Sequence, residues 1–163
     1  MYAEEKDMYP HVRAWLDRVL KSKFKDAKVR VGDTSKKVLS RWLFEHEYHK
    51  LFPEYSTYEI EVDVTGVIEK ESSASLAFVE CKLKKITLRD LSQLLGYSKV
   101  ANPVISLIVS PAGVSDSLNL LFNVNRREDI LTYNSGSKIL IGRWDAPKKE
   151  LDPSSTIPKG SHL

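Results

Sequence analysis

The chain contains a single cysteine, Cys81, and a single glutamine, Gln93, in 163 residues. One thiol excludes an internal disulfide and an all-cysteine zinc site, and it is compatible with a reducing compartment, so a cytoplasmic location is the expectation. No run approaches the roughly 18 apolar residues of a membrane span, and no membrane partner is expected. The opening Met1-Tyr2-Ala3-Glu4-Glu5-Lys6 is too acidic to read as a signal peptide. There is no internal repeat and no glycine-rich phosphate loop. Excess charge is also scarce: a net charge of +3 and a pI near 8.9 mean that affinity for nucleic acid must come from local clusters, not from the overall field.

What is present reads as one globular α/β domain. With 42% hydrophobic residues the chain can bury a core without staples. Residues 1–145 carry the periodic patterns. From Ala146 onward the sequence is rich in proline, serine and charge and lacks a core pattern, so 146–163 is expected to be a mobile tail.

The organising stretch runs from Tyr58 to Tyr97. Tyr58, Ile60, Val62 and Val64 alternate with Glu59, Glu61, Asp63 and Thr65, the period of a strand. Gly66 and the polar residues Glu69 to Ser75 read as turn, and Leu76 to Leu83 reads as a second strand, giving an antiparallel hairpin. Glu80 and Lys82 are two apart and share a face, with Cys81 on the other. Flanking Leu76, Phe78, Val79, Leu83 and Ile86 mark this strand as mostly buried. A carboxylate and an ammonium in such a strand need a reason to be there.

An Asp and a Glu converging from neighbouring strands offer hard oxygen ligands to Mg²⁺ or Mn²⁺, which keep several waters and bind phosphate oxygens. Lys82 beside them could orient an attacking water or neutralise a phosphate. Thr87 and Asp90 form a capping-box pattern that starts a helix through about Val100, with Leu88, Leu91 and Leu95 as its core stripe. Arg89, Gln93 and Tyr97, spaced by four, line another side of it.

Asp63, Glu80-Cys81-Lys82 and Gln93-x-x-x-Tyr97 together resemble the PD-(D/E)xK nuclease superfamily, and the last element is similar to that of its RecB-type branch. The resemblance covers residues 4 to 110. Val62 stands where the family pattern has proline. The lone cysteine excludes the branch members that hold an iron–sulfur cluster on four cysteines. The resemblance implies a restriction endonuclease-like fold, a central mixed β-sheet flanked by helices, and Mg²⁺-dependent hydrolysis of DNA. It implies metal ligation by Asp63, Glu80 and the Cys81 backbone carbonyl, and site roles for Lys82, Gln93 and Tyr97. An acidic residue of the first helix also belongs to the pattern, with Glu5 the best match and Glu4 next. Lys84, Lys85 and Arg89 lie beside the expected site, where phosphates approach, and are expected to bind DNA. A second basic cluster, Lys21, Lys23, Lys25, Lys28 and Arg30, reads as a solvated face. Two alternatives stay open: a non-catalytic nucleic-acid-binding module, and a junction-resolving endonuclease, which would need a homodimer.

The remaining segments complete the expected sheet and layers. Met8, Val12, Trp15, Leu16, Val19 and Leu20 form one helical stripe, with Pro10 fitting only the first turn. Ala27 to Val31 is a short strand ended by Gly32-Asp33. Ser35 to Leu51 is a helix on which His46 and His49 lie three apart, but no complementary set of ligands makes zinc the expectation. Pro103 to Ser110 is a strand covered on both faces and parallel to the one before it. Ser115 to Asn123 is a helix. Ile130 to Tyr133 and Lys138 to Trp144 are expected to close the sheet's edge.

Overall fold

The computed structural model describes residues 1–163 and has a six-stranded mixed sheet with helices on both faces. The expected central mixed sheet flanked by helices is present. In chain order the elements are α1 (Tyr9–Lys23), β1 (Lys28–Asp33), α2 (Leu39–Glu45), β2 (Val64–Glu69), β3 (Ala74–Cys81), α3 (Leu88–Ala101), β4 (Ile105–Ser110) and α4 (Asp116–Asn119). They are followed by β5 (Thr132–Asn134), β6 (Ser137–Lys138), β7 (Leu140–Asp145) and β8 (Glu150–Leu151). The strand order is β1-β2-β3-β4-β7-β8. β1, β2 and β3 run antiparallel, β4 and β7 join parallel, and β8 closes the far edge antiparallel.

Alternation along β3 builds two cores. Leu76 and Phe78 enter one with α2, α3 and α4, while Ala77, Val79 and Cys81 enter the other with α1. The α1 stripe is buried through Val12, Trp15, Leu16 and Leu20, and Pro10 occupies its first turn, where no helical N–H is lost. Gly66 is not a turn residue as expected. It lies inside β2, where a Cβ would sit 2.5 Å from Leu20 Cδ1, so its bare backbone is what lets α1 close on the sheet. Gly32 likewise belongs to β1, with the Trp42 ring packed on it.

Helix α3 begins at the Thr87–Asp90 box, in which the Asp90 carboxylate accepts from the Thr87 amide at 2.9 Å. Its buried stripe is Leu91, Leu94 and Ser98, whereas Leu88 is exposed. Asn102 ends it in the left-handed region at φ 49°. Helix α2 is shorter than expected: it stops at Glu45, and after Glu47, at φ 61°, only a single turn over His49–Leu51 follows. The expected pair of closing strands divides, because β5 and β6 form a separate ribbon while β7 pairs with β4.

Residues 146–163, expected from composition to be mobile, are packed on β7. β8 pairs with it, Ile157 bridges to Ile141, and Leu151, Thr156 and Ile157 are buried. Buried residues at 151, 156 and 157 follow neither a helical nor a strand period and so leave no signal in a Pro- and Ser-rich segment. Ile157→Ala is therefore expected to cost about 2–4 kcal/mol in urea denaturation, the ordinary cost of truncating a core aliphatic. A loose tail would show no change.

Candidate functional site

The site is built at the carboxyl end of β3. β2 and β3 pair from Val64↔Val79 to Glu69↔Ala74, and just before β2 Asp63 reaches the end of β3, where its Oδ2 meets the Cys81 amide and its charge acts on Glu80. Asp63 itself is not in a strand: the expected strand from Tyr58 begins only at Val64. Tyr58, Ile60 and Val62 are nevertheless buried in alternation, because the carbonyls of Tyr58 and Ile60 accept from Ser40 and Leu39 at the start of α2. That segment is extended but anchored to a helix end instead of a ladder.

Asp63 is held through both its side chain and its backbone. Its Oδ2 accepts from the Cys81 amide at 2.8 Å. Its backbone carbonyl accepts from the Thr34 amide at 2.9 Å. Next to it, Thr34 Oγ1 donates to the Val62 carbonyl at 2.6 Å and meets Thr65 Oγ1 at 2.8 Å, all buried. Thr34→Val is expected to lower stability by about 1–3 kcal/mol by stranding these buried acceptors, measured by chemical denaturation.

Glu80 and Asp63 are 7% and 8% exposed, so both acids are withheld from water. Burial, and then the Asp63 charge, push Glu80 up to about 8, against the opposing pull of Lys82. Burial also raises Asp63, opposed by the Cys81 amide, Tyr9 and Lys82. Lys82 Nζ lies 3.3 Å from Glu80 Oε1 and 3.8 Å from Asp90 Oδ1. Burial pulls the Lys82 ammonium down, but the charges of Glu80, Glu5 and Asp90 outweigh it and hold it above its ordinary value. Lys82 therefore stays protonated between a strand acid and the first turn of α3.

Glu5 reaches the same place from the opposite end of the chain. It lies in a single turn, Glu5–Asp7, ahead of α1, and its Oε2 accepts from the Leu83 amide at 3.4 Å. Glu4 does not contribute; its carboxylate pairs with exposed Lys6. The Tyr9 phenol, which sequence reading missed, lies against Asp63, and its hydroxyl is raised well above its ordinary pKa by burial and then by the Asp63 charge. Nothing but its position in the first turn of α1 could have marked it.

Gln93 and Tyr97 meet each other, Nε2 donating to the hydroxyl at 3.1 Å, and make no polar contact with the acids. They continue the side of α3 that starts at Asp90, the partner of Lys82. Lys84, Lys85 and Arg89 are exposed on the loop and first turn that follow β3, with Lys85 3.5 Å from Asp116. His46 and His49 serve packing: His46 Nδ1 contacts the Trp42 carbonyl at 2.9 Å, and His49 stacks between Phe44 and Tyr55.

Glu80 Oε2 is buried without a hydrogen-bond partner. A stranded carboxylate oxygen is costly unless something else takes its lone pairs. No three His, Cys, Asp or Glu side chains converge closely enough to hold an ion by themselves. The donors that could do so are the Asp63 and Glu80 carboxylates, with solvent or phosphate oxygens completing the shell. That hard-oxygen set fits Mg²⁺ or Mn²⁺.

No family model matches the sequence, and no curated protein does. Among solved structures the chain is similar to "MspJI Restriction Endonuclease in Complex with 27-mer Oligonucleotide", at TM-score 0.43 and 10% identity over 84% of this chain. The match spans 26% of that longer chain.

Proposed function

We propose that this chain is a restriction endonuclease-like, divalent-metal-dependent nuclease that hydrolyses DNA phosphodiester bonds. One observation carries the reading: two buried acids, Asp63 and Glu80, lie near enough at the carboxyl end of β3 for the charge of one to act on the other, with Lys82 3.3 Å from Glu80. Ionising a second buried acid beside the first, with one oxygen stranded, weakens a fold, and a cation is the partner that offsets this.

In this reading Asp63, Glu80 and the Cys81 carbonyl hold Mg²⁺ or Mn²⁺. When bound, the ion polarises a phosphate oxygen and acidifies water. Lys82, kept charged by its acidic neighbours, stabilises the negative charge that develops on the phosphoryl oxygens. The Cys81 amide and Tyr9 fix the orientation of the Asp63 carboxylate. Glu5 adds a third acid at the rim. Gln93 and Tyr97 position DNA along α3, and Lys84, Lys85 and Arg89 neutralise its backbone on that side.

The test is incubation of the full chain with single-stranded, duplex and branched DNA in Mg²⁺, Mn²⁺ or EDTA. Products in metal that vanish in EDTA are expected. A gel shift with no products under any metal condition would replace the enzyme with a binding module. Light scattering tests the dimer that junction resolution requires.

A further inference from the structure

On the other side of Asp63 from Lys84 and Lys85 lies a groove of about 370 Å³, lined by Arg13, Arg30, Lys36, Lys37, Trp42 and His46. Its remaining residues, Gly32 and Asp33, form the end of β1. Only one acid, Asp33, faces four cations there, and its Oδ1 is already taken by the Ser35 amide and hydroxyl. Lys37 pairs with Glu45. Arg13, Arg30 and Lys36 have no ion-pair partner. Arg13 is aimed by its Nε, which donates to the Val31 carbonyl at 2.9 Å and leaves the rest of the guanidinium free. The groove is thus a concave site with surplus positive charge that no protein group neutralises.

Its place in the fold matters as much as its charge. Asp33 pairs with Val64, the residue after Asp63, and the Thr34 amide bonds the Asp63 carbonyl. Arg13 follows Tyr9 by four residues on α1, about 6 Å along the helix axis. Across the end of the sheet, β1 carries the groove, Asp63 precedes β2, Glu80 is the next-to-last residue of β3, and Lys84 and Lys85 follow that strand. Neighbouring strands are about 4.8 Å apart. Successive phosphates of one DNA strand advance about 3.4 Å along the duplex axis. The groove therefore lies a few nucleotides from a phosphate placed between the two acids.

We propose that the groove of Arg13, Arg30 and Lys36 binds the DNA sugar–phosphate backbone to one side of the scissile bond, opposite Lys84, Lys85 and Arg89. The acid pair would otherwise repel a polyanion, and basic surfaces on both flanks draw the strand across it. The contacts are to phosphates, so they position DNA without reading its sequence. The proposal rests on the nuclease reading for DNA as the polyanion and for the place of the scissile bond.

The test compares the full chain with the Arg30→Gln/Lys36→Gln double variant, both exposed positions, checked for folding by circular dichroism. Binding of a fluorescein-labelled duplex is followed by anisotropy across a salt series in EDTA, and cleavage by single-turnover kinetics at saturating protein in Mg²⁺. The slope of log affinity against log salt is expected to fall by about two, roughly one for each lost phosphate contact, with affinity down on the order of tenfold. The saturated cleavage rate should stay within about twofold of the wild type. Unchanged slope and affinity would overturn the groove while leaving the nuclease reading intact. A wild type that binds through the groove but never cleaves would keep the groove and remove the catalytic reading. Binding to phosphatidylserine vesicles and not to the duplex would overturn the proposal in favour of a lipid surface.

Discussion

Asp63→Asn and Lys82→Ala are each expected to reduce Mg²⁺-dependent DNA cleavage by about 10³-fold or more while leaving the chain folded. The size follows from what each group would do: Asp63 supplies charge to the ion, and Lys82 supplies it to the transferring phosphoryl group, in a site largely closed to water where such interactions are strong. Asparagine keeps an oxygen to accept from the Cys81 amide, so the fold retains that bond and only the charge is lost. Asp63→Ala should also abolish cleavage, but it strands a buried N–H at a cost of about 1–3 kcal/mol and separates the two effects less cleanly. Lys82 is partly exposed and its stem can be shortened without opening the core. Full activity in either variant, measured with thermal unfolding as the control, would remove the metal-nuclease reading.

Glu80→Gln is expected to stabilise the metal-free protein at alkaline pH and to flatten its stability–pH profile. Glu80 titrates near 4.5 when free and at about 8 when folded. Below 4.5 both states hold the proton and no difference arises. Between 4.5 and 8 the unfolded chain releases its proton while the folded chain keeps it, so stability falls as pH rises and levels off above the folded pKa. A tenfold difference in proton affinity between the folded and unfolded chains is worth about 1.4 kcal/mol, which makes the loss on the order of a few kcal/mol. Asp63, raised in the same direction, adds to the trend. Urea denaturation in EDTA at pH 5 and pH 9 should show the wild type weakening and Glu80→Gln weakening much less. A cation that needs the charged carboxylate must displace the proton, so ion affinity should climb by up to about tenfold for each step of one in pH until pH 8. Parallel pH profiles for the two proteins would mean that Glu80 does not hold its proton into the alkaline range.

The meeting of Asp63, Glu80 and Lys82 was legible because period-2 alternation in a buried strand makes two charged residues conspicuous, and because a polar gap of turn length implies the hairpin. Helix α3 was legible from Thr87 and Asp90, whose reciprocal bonds need only four residues. The partners of Asp63 were not. Thr34 arrives from the loop before α2, the Cys81 amide is a main-chain group, and Tyr9 looks like any aromatic at a helix start. The strand expected over Tyr58 to Val62 had the right burial and the wrong partner, since alternation reports which side faces the core and says nothing about where the carbonyls bond. Composition misled at 146–163 for a similar reason: proline and serine describe the exposed residues there, while Leu151 and Ile157 do the anchoring.

β1 is an outer strand of the sheet, and one of its free carbonyls, Val31, is covered by Arg13 while Lys28 and Arg30 project as exposed charges. An uncovered strand margin is a template on which another chain can add itself, and like charges set along it discourage that. Arg13 and Arg30, proposed above to hold a polyanion, thus also stand where side-by-side pairing of two copies would have to begin. Neutralising them is expected to lower solubility, and the protein should tolerate concentration best at low pH and low salt, where mutual repulsion is greatest.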